Sequence, residues 1–381
     1  MAAIGRTSSL FRVVSVVLVF LAFTPLFVMR LDTEVYRYLN RDDLRVLTAV
    51  EMGSKNHELV PAALIESIAN LKRGGATPII KELHKYKLLF HESVPYHGYR
   101  LTASGYDCLA VCTFMSRGSI SSVGRRVGVG KESDVHICFT DKQPAPILEE
   151  NSECCYGSDD DEDGEFPLIL KLHRLGRISF RRVKQTRDYL QKRKSASWQY
   201  LSRLAAEKEF AYAKLLHERG FPVPKPIDCN RHCVLMEKLN ADTLYQVTYD
   251  SMTDEEALEL LIELYKIIVK LGALGLIHGD FNEFNIMYDH STGLLYIIDF
   301  PQMVRIDHLN GGFYFERDVK GVTEFFGKKF GVAAPEAVPE YAKVLEMFQE
   351  NLRNGGRIAD KFEFDEPVGE ECAEDDLSKD D

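Results

Sequence analysis

The eight cysteines of this 381-residue chain build no covalent or metal framework. Cys108 and Cys112 are four apart, Cys154 and Cys155 are adjacent, Cys229 and Cys233 flank a histidine, and no C-x-x-C pair occurs. That spacing excludes the common structural zinc signatures and leaves free thiols in a reducing compartment. No internal repeat is visible, which excludes a solenoid or propeller. Long apolar runs are equally scarce. The one that occurs, residues 13–29 (VVSVVLVFLAFTPLFVM), sits at the lower edge of the length that spans a bilayer, contains Pro25 and is followed by no A-x-A-like cleavage site. Met29 opens an ordinary soluble segment. Residues 1–30 therefore read as an apolar extension that the working protein does not need, or a start-site artefact, with a membrane anchor and a signal peptide as the alternatives.

Basic charge is the next apparent shortage, since the net charge is −11. The average hides a division. Residues 141–165 hold ten Asp or Glu and one Lys, and residues 361–381 hold ten acids and two Lys. Without those two segments 44 basic residues face 38 acidic ones, a net of +6. The folded part is thus mildly basic, and 45% apolar residues supply enough material for two or three domains.

Residues 31–115 predict a small helical domain with one hairpin. Asp42 and Asp43 open LRVLTAVEMG, which stops at Gly53. A second helix begins near Pro61, and Gly74 and Gly75 break it. A third, over residues 77–89, carries Ile79, Ile80, Leu83 and Tyr86 on one face. LLFHESVPYHGYRLT then alternates around a turn containing Pro and Gly, and SGYDCLAVCTF closes the unit. Three helices, a hairpin and a closing helix make a winged helix-turn-helix, with the hairpin as wing and residues 77–89 in the recognition-helix position. After it come a glycine turn between two strands (119–140), a Pro-, Ser- and acid-rich loop (141–165) read as disordered, the strand FPLILKLH, and a stretch over 171–194 with ten Lys or Arg against Asp188 alone. A helix follows over roughly 196–219, then the strand HCVLMEKL, and a helix headed by the capping box Thr253-Asp-Glu-Glu256. Residues 116–335 form this second domain; 336–381 hold a C-terminal helix and the acidic tail.

Four features with chemical content occur in a fixed order. Gly128-Val-Gly130-Lys131-Glu-Ser133, followed by Asp134 and Val135, is a turn whose backbone N–H groups can approach phosphate without side chains in the way, although a tight hairpin has the same composition. Lys171 stands inside an apolar strand, where a charge needs a partner; Glu209 on the next helix is the candidate, while Glu207 points elsewhere on that helix. His278-Gly-Asp280-Phe-Asn-Glu-Phe-Asn285 has the D-x-x-x-x-N spacing of phosphotransferases, with Asp280 set to act on an attacking hydroxyl and Asn285 to offer an amide oxygen to Mg2+. Asp299 ends the apolar strand LLYIID, where it would face a cleft and bind metal. Each alone has a bland reading as a turn, an edge lysine or a polar loop; their joint order does not.

These residues resemble the RIO kinases: HGDFNEFN, IIDFPQM, GVGKESDV, LKLHRLGRISFR, SWQYLSRLAA, KEFAY, GFPVPKPID and NRH all fit, and NRDDLRVLTAVEMG with LKRGG resembles the winged-helix domain of the RIO2 branch. The resemblance covers about residues 31–330. It implies an α+β chain in which the winged helix precedes a small bilobal kinase-like domain that binds ATP and Mg2+. It assigns Lys171 to the phosphates, Glu209 to the lysine, Asp280 to catalysis, and Asn285 and Asp299 to the metal. Gly128, Gly130, Lys131, Ser133 and Val135 would cover the nucleotide, and Met236 and Glu237 would form the hinge against adenine. Asp299 would be the residue able to take up phosphate as an aspartyl-phosphate. The resemblance further implies serine/threonine kinase or ATPase activity in late maturation of the small (40S) ribosomal subunit. Its partners would be the pre-40S particle, its rRNA and assembly factors, in the cytoplasm and also the nucleus.

The residues add their own constraints. No A-P-E element follows Asp299, which suits water or the protein itself as acceptor better than broad peptide substrates. The basic stretch suits an RNA backbone, or else is a solvated charged face. The acidic insertion falls between the glycine turn and Lys171, near the mouth of the nucleotide site. Three rivals stay open: a small-molecule phosphotransferase, a nucleic-acid-binding scaffold with an inactive kinase domain, and a membrane-tethered kinase using residues 13–29.

Overall fold

The computed structural model of the chain describes residues 38–71, 75–94, 96–141, 165–175, 197–248, 252–335 and 337–354. The apolar run 13–29, the acidic insertion beyond Asp141, the basic residues 176–194 and the acidic tail lie outside the described residues. The chain divides into two units, Met1–Leu109 and Ala110–Asp381. No helix among the described residues is long and apolar enough to cross a membrane.

In the first unit Asn40 caps α1 (Arg41–Gly53): its side chain accepts from the Asp42 and Asp43 amides, and Asp43 Oδ2 accepts from the Asn40 amide at 2.8 Å. This reciprocal box satisfies N–H groups that a helix start otherwise leaves unpaired. α2 (Ala62–Ala69) and α3 (Ala76–Lys85) follow, then the hairpin β1 (Leu89–Glu92) and β2 (Gly98–Leu101), and α4 (Ala103–Arg117), which runs across the division between the units. Val46, Leu47, Val50, Ile65, Ile80, Leu83, Leu89 and Leu101 are buried and form its core. The winged-helix order is therefore the observed one. The third helix stops four residues short of the predicted end. Lys87 takes a left-handed conformation and the Leu88 amide donates to Leu83 O, the bond that closes a Schellman-type turn, so that Leu88 and Leu89 go to the hairpin side of the core.

The second unit begins with an antiparallel sheet ordered β3 (Ser122–Val129), β4 (Ser133–Thr140), β5 (Phe166–His173), β7 (Cys233–Glu237), β6 (Pro226–Asn230). α5 (Trp198–Glu218), capped by Ser197, lies between β5 and β6 in sequence. The remainder is mainly helical: β8 (Asp242–Thr243), α6 (Asp254–Ala273), β9 (Leu276–Ile277), β10 (Ile286–Tyr288), β11 (Leu295–Ile297), β12 (Val304–Arg305), α7 (Gly311–Phe330) and α8 (Tyr341–Arg353). The short strands pair as β11-β10-β8 and β12-β9. Leu261, Leu264, Ile268, Phe315, Phe326, Phe330, Val344 and Phe348 knit α6, α7 and α8 into one buried cluster.

The Thr253–Glu256 capping box of α6 is present as its sequence predicts. α7 is an element that the sequence reading left without assignment. Gly311, Gly312, Gly321 and Gly327 lower its helix propensity by roughly 1 kcal/mol each relative to alanine, while Phe315, Val319, Val322, Phe326 and Phe330 supply a buried stripe that outweighs them.

Gly272 of α6 marks where α8 approaches most closely: a Cβ there would overlap Val344 Cγ1. Gly272→Ala is expected to destabilise the second unit by about 1–3 kcal/mol in denaturant unfolding, and adding Val344→Ala should restore part of that loss; equal stability of Gly272→Ala and wild type would contradict the contact.

Candidate active site

Strand register builds the first half of the site. Lys171 of β5 pairs with Val135 of β4 and Val234 of β7, so all three project from one face of the sheet. Lys171 is only 9% exposed. Its Nζ donates to Glu209 Oε1 at 2.6 Å and to Asp299 Oδ1 at 2.8 Å. Burial disfavours the ammonium, but the carboxylates of Asp299 and Glu209 outweigh it and hold Lys171 above the usual lysine range. Burial also acts to raise Glu209, yet Lys171 and His173 keep it below the usual glutamate range. His173 Nε2 lies 2.6 Å from Glu209 Oε2, although off the direction of a hydrogen bond. Glu207 turns outward to Arg203, as its helical position requires.

The second half comes from the segment between α6 and α7. Asp280 Oδ2 accepts from Gln302 Nε2 at 2.8 Å and from Asn285 Nδ2 at 3.3 Å, while Oδ1 accepts from Asn282 Nδ2 at 3.1 Å. Asn285 also donates to Asp280 O, so its amide nitrogen faces Asp280 and its Oδ1 is the end turned to other partners. Ile286 pairs with Ile297, and the Ile298 amide donates to Asn285 O, which brings Asn285 beside Asp299. Asp299 has φ +71°, a left-handed conformation that aspartate adopts more readily than most side chains. That twist at the strand end aims its carboxylate at Lys171; the side chain remains 35% exposed.

Asp318, Arg317 and His278 hold the loop, and Asp318 and His278 are buried. Asp318 of α7 accepts from the Gly279 and Phe281 amides at 2.7 and 3.2 Å. Arg317 donates to Gly279 O. His278 donates from Nε2 to Ile298 O at 3.2 Å and packs edge-on to Phe281 and Phe300. Burial lowers His278 to about 4 and raises Asp318 to about 6. Gly279 has φ +76° and no room for a Cβ, which would stand 2.7 Å from Gln302 O. His173, Gln302, Arg317 and Asp318 were not singled out from sequence. Gln302 stood inside a quoted motif, whereas Asp318 carries no local signal because its partners are backbone amides 37 and 39 residues away.

The glycine turn is where it was expected. The Gly130 amide donates to Ser133 O at 2.7 Å, and Gly128 pairs with Val135. Lys131 is exposed at its tip. Arg174, just past β5, holds the turn from behind: its amide donates to Glu132 O and its buried guanidinium donates to Asp134 Oδ2 at 3.2 Å. Lys171 and Arg174 are therefore internal, and the RNA-facing reading of residues 171–194 does not extend to them. Met236 pairs with Ile169, two positions along the sheet from Lys171, and Glu237 is tied to Lys225 through both its amide and its carboxylate.

No group of three or more His, Cys, Asp or Glu among the described residues could hold a metal ion. Asn285 and Asp299 instead offer two hard oxygen donors, a set that fits Mg2+, which keeps water and phosphate oxygens for its remaining positions. The ensemble of turn, buried lysine pair, polar loop and strand-end carboxylate has the parts needed to hold a nucleoside triphosphate and to orient an acceptor hydroxyl.

The family model described as "RIO domain" matches residues 155–338, and that described as "Rio2, N-terminal" matches residues 36–117. The chain is 51% identical over 302 residues to a serine/threonine-protein kinase rio2 of Dictyostelium discoideum, covering 79% of this chain and 53% of that protein. It is 46% identical to the serine/threonine-protein kinase rio2 of Schizosaccharomyces pombe, covering 85% and 86%. It thus spans about half the length of the first relative and most of the second. A crystal structure of the Rio2 kinase–ADP/Mg2+–phosphoaspartate complex from Chaetomium thermophilum matches with a TM-score of 0.69 at 42% identity, covering 86% of this chain and 95% of that chain.

His278 gives the site a pH signature. Its folded value, about 4, lies below its unfolded one, so its contribution to stability is complete above about pH 6.5 and is lost as pH falls toward 4. The stability advantage of wild type over His278→Leu, read from urea unfolding, should shrink steadily across that window. An advantage independent of pH would show that the imidazole is not held neutral by burial.

Proposed function

The chain belongs to the RIO2 family, and we propose that it is an ATP- and Mg2+-dependent atypical serine/threonine kinase and ATPase acting in late maturation of the small ribosomal subunit. The observation that carries the catalytic part is the buried Lys171 held between Glu209 and Asp299, facing a loop in which Asp280 and Asn285 keep the D-x-x-x-x-N spacing.

Lys171 would bind the nucleotide phosphates, with the glycine turn from Gly128 to Val135 over them and Met236 and Glu237 at the adenine. Mg2+ held by Asn285 and Asp299 would supply neutralisation of the phosphate charge. In transfer, an acceptor oxygen attacks the γ-phosphorus, its bond to ADP breaks with the electron pair leaving on ADP, and the acceptor proton passes to Asp280. When Asp299 is the acceptor its carboxylate attacks, and water later cleaves the acyl phosphate to regenerate it. The phosphoaspartate seen in the Chaetomium thermophilum complex supports that second course.

The ribosomal part of the reading rests on the winged-helix unit, a fold suited to nucleic acid, and on the basic composition of 176–194. A pre-40S particle, its rRNA and associated assembly factors would be the partners, and the cytoplasm, with passage through the nucleus, the location.

Three substitutions and the response to precursor particles test the assignment. Asp280→Ala should keep ATP affinity near wild type while lowering turnover about 10²–10⁴-fold, whereas Lys171→Ala should weaken both. Asp299→Ala should abolish any hydroxylamine-sensitive phosphoenzyme formed from γ-labelled ATP. Normal turnover by Asp280→Ala would remove the residue from its role, and turnover unresponsive to small-subunit precursor particles would remove the ribosomal part.

A further inference from the structure

We infer that Lys329 is a positioning residue for Asn285, the side chain that would offer its amide oxygen to Mg2+; the inference rests on the kinase reading above. Lys329 stands in the last turn of α7, and its Nζ donates to two carbonyl oxygens, Leu244 O at 3.0 Å and Tyr245 O at 2.5 Å. The amides of the same two residues go to the loop. Leu244 N donates to Ile286 O at 2.9 Å, and Tyr245 N donates to Glu283 O at 3.1 Å. Glu283 and Ile286 bracket Phe284 and Asn285. One ammonium therefore holds, through the backbone of two residues, the stretch that carries Asn285. From the other direction Asn285 O accepts from the Ile298 amide, and Ile286 pairs with Ile297. Asn285 is thus clamped between the segment that Lys329 holds and the strand that leads to Asp299.

The ammonium suits this task. Leu244 is fully buried, and a buried carbonyl needs a donor. The rings of Phe325, Tyr245 and Phe330 lie 5.3, 5.7 and 5.8 Å from Nζ, within the range of cation–π attraction. Lys329 also has a counterpart on its own helix. Asp318 lies eleven residues earlier on α7, about three turns away, and so on nearly the same face. Asp318 accepts from the Gly279 and Phe281 amides, whereas Lys329 donates to the two residues that hold Glu283 and Ile286. One helix face fixes both ends of the loop, with a carboxylate for its donors and an ammonium for the acceptors behind it. Mg2+ demands near-ideal octahedral geometry, so a small shift of Asn285 relative to Asp299 weakens the metal site more than the fold.

The test compares the full chain with Lys329→Met, which keeps the apolar stem and removes the donors, and Lys329→Arg, which keeps charge and donors. Mn2+ affinity in the presence of ADP is read by electron paramagnetic resonance. ATP hydrolysis is titrated with Mg2+, and thermal unfolding is followed in parallel. Lys329→Met should weaken Mn2+ binding about 10-fold and raise the Mg2+ concentration for half-maximal turnover by a similar factor, with a melting temperature near wild type. Lys329→Arg should recover most of both losses. In an Asn285→Ala background Lys329→Met should add little, since the two act on one interaction. Mn2+ affinity of Lys329→Met within twofold of a wild type that binds the ion would overturn this inference alone. An undiminished effect of Lys329→Met in the Asn285→Ala background would overturn it too, because the route would not pass through Asn285. Failure of Lys329→Met to fold, or a parallel loss of melting temperature, would reduce Lys329 to a structural part and overturn it as well. A wild-type chain with neither Mn2+–ADP binding nor turnover would overturn the kinase reading, and this inference with it.

Discussion

The arrangement depends on one buried ammonium. Lys171 stands in the middle strand of the sheet between buried Leu170 and Leu172 and beside Val135 and Val234, and an unpaired charge there would not be tolerated. Its two carboxylates come from different places, Glu209 on α5 and Asp299 at the end of β11. Satisfying one lysine therefore fixes the depth at which α5 packs on the sheet and the position of the strand end in the helical half. His173, one alternation further along β5, brings Nε2 to 2.6 Å from the other oxygen of Glu209. The pair is better understood as a locator than as a source of stability, because desolvation of buried ions offsets much of their attraction.

The helical half solves a different problem, which is to hold a short polar loop still. Asp318 does so from beneath by accepting two backbone amides, and burial leaves it near 6, a carboxylate tolerated only because those amides face it. His278 is the opposite case, a base kept neutral by burial between Phe281 and Phe300. Neither side chain is aimed at an acceptor. Both exist so that Asp280 and Asn285 sit where the register of β10 with β11 delivers Asp299.

Legibility in the sequence followed the range of each interaction. The capping box at Thr253, the apolar strand around Lys171 and the D-x-x-x-x-N spacing are local, and all could be read. Glu209 could be read because a charge in an apolar strand demands a partner and the next helix offered few. α7 was hidden by its glycines, although its apolar stripe has helical spacing. Asp318, 38 residues beyond Asp280, works through backbone amides, and no spacing rule announces a carboxylate that serves main-chain donors across such a distance. The end of α3 was missed because Tyr86 continues the apolar period, while the chain turns at Lys87 to place Leu88 and Leu89 in the hairpin side of the core.

The path from Asp299 to α7 limits what the site can accept. Only residues 300–310 intervene, and the stretch from Gln302 to Ile306 is anchored. Gln302 is held at Asp280 and Gly279, Val304 and Arg305 pair with Ile277 and Leu276, the Ile306 amide donates to Gly275 O, and Tyr341 donates to Ile306 O. In a kinase that docks peptides, this interval is long enough to form a platform; here it is consumed in fixing the loop to the helices. Selection of an acceptor must then come from somewhere other than this segment. The same brevity ties the Asp280 loop to the helices and leaves no length in this interval for a docking platform.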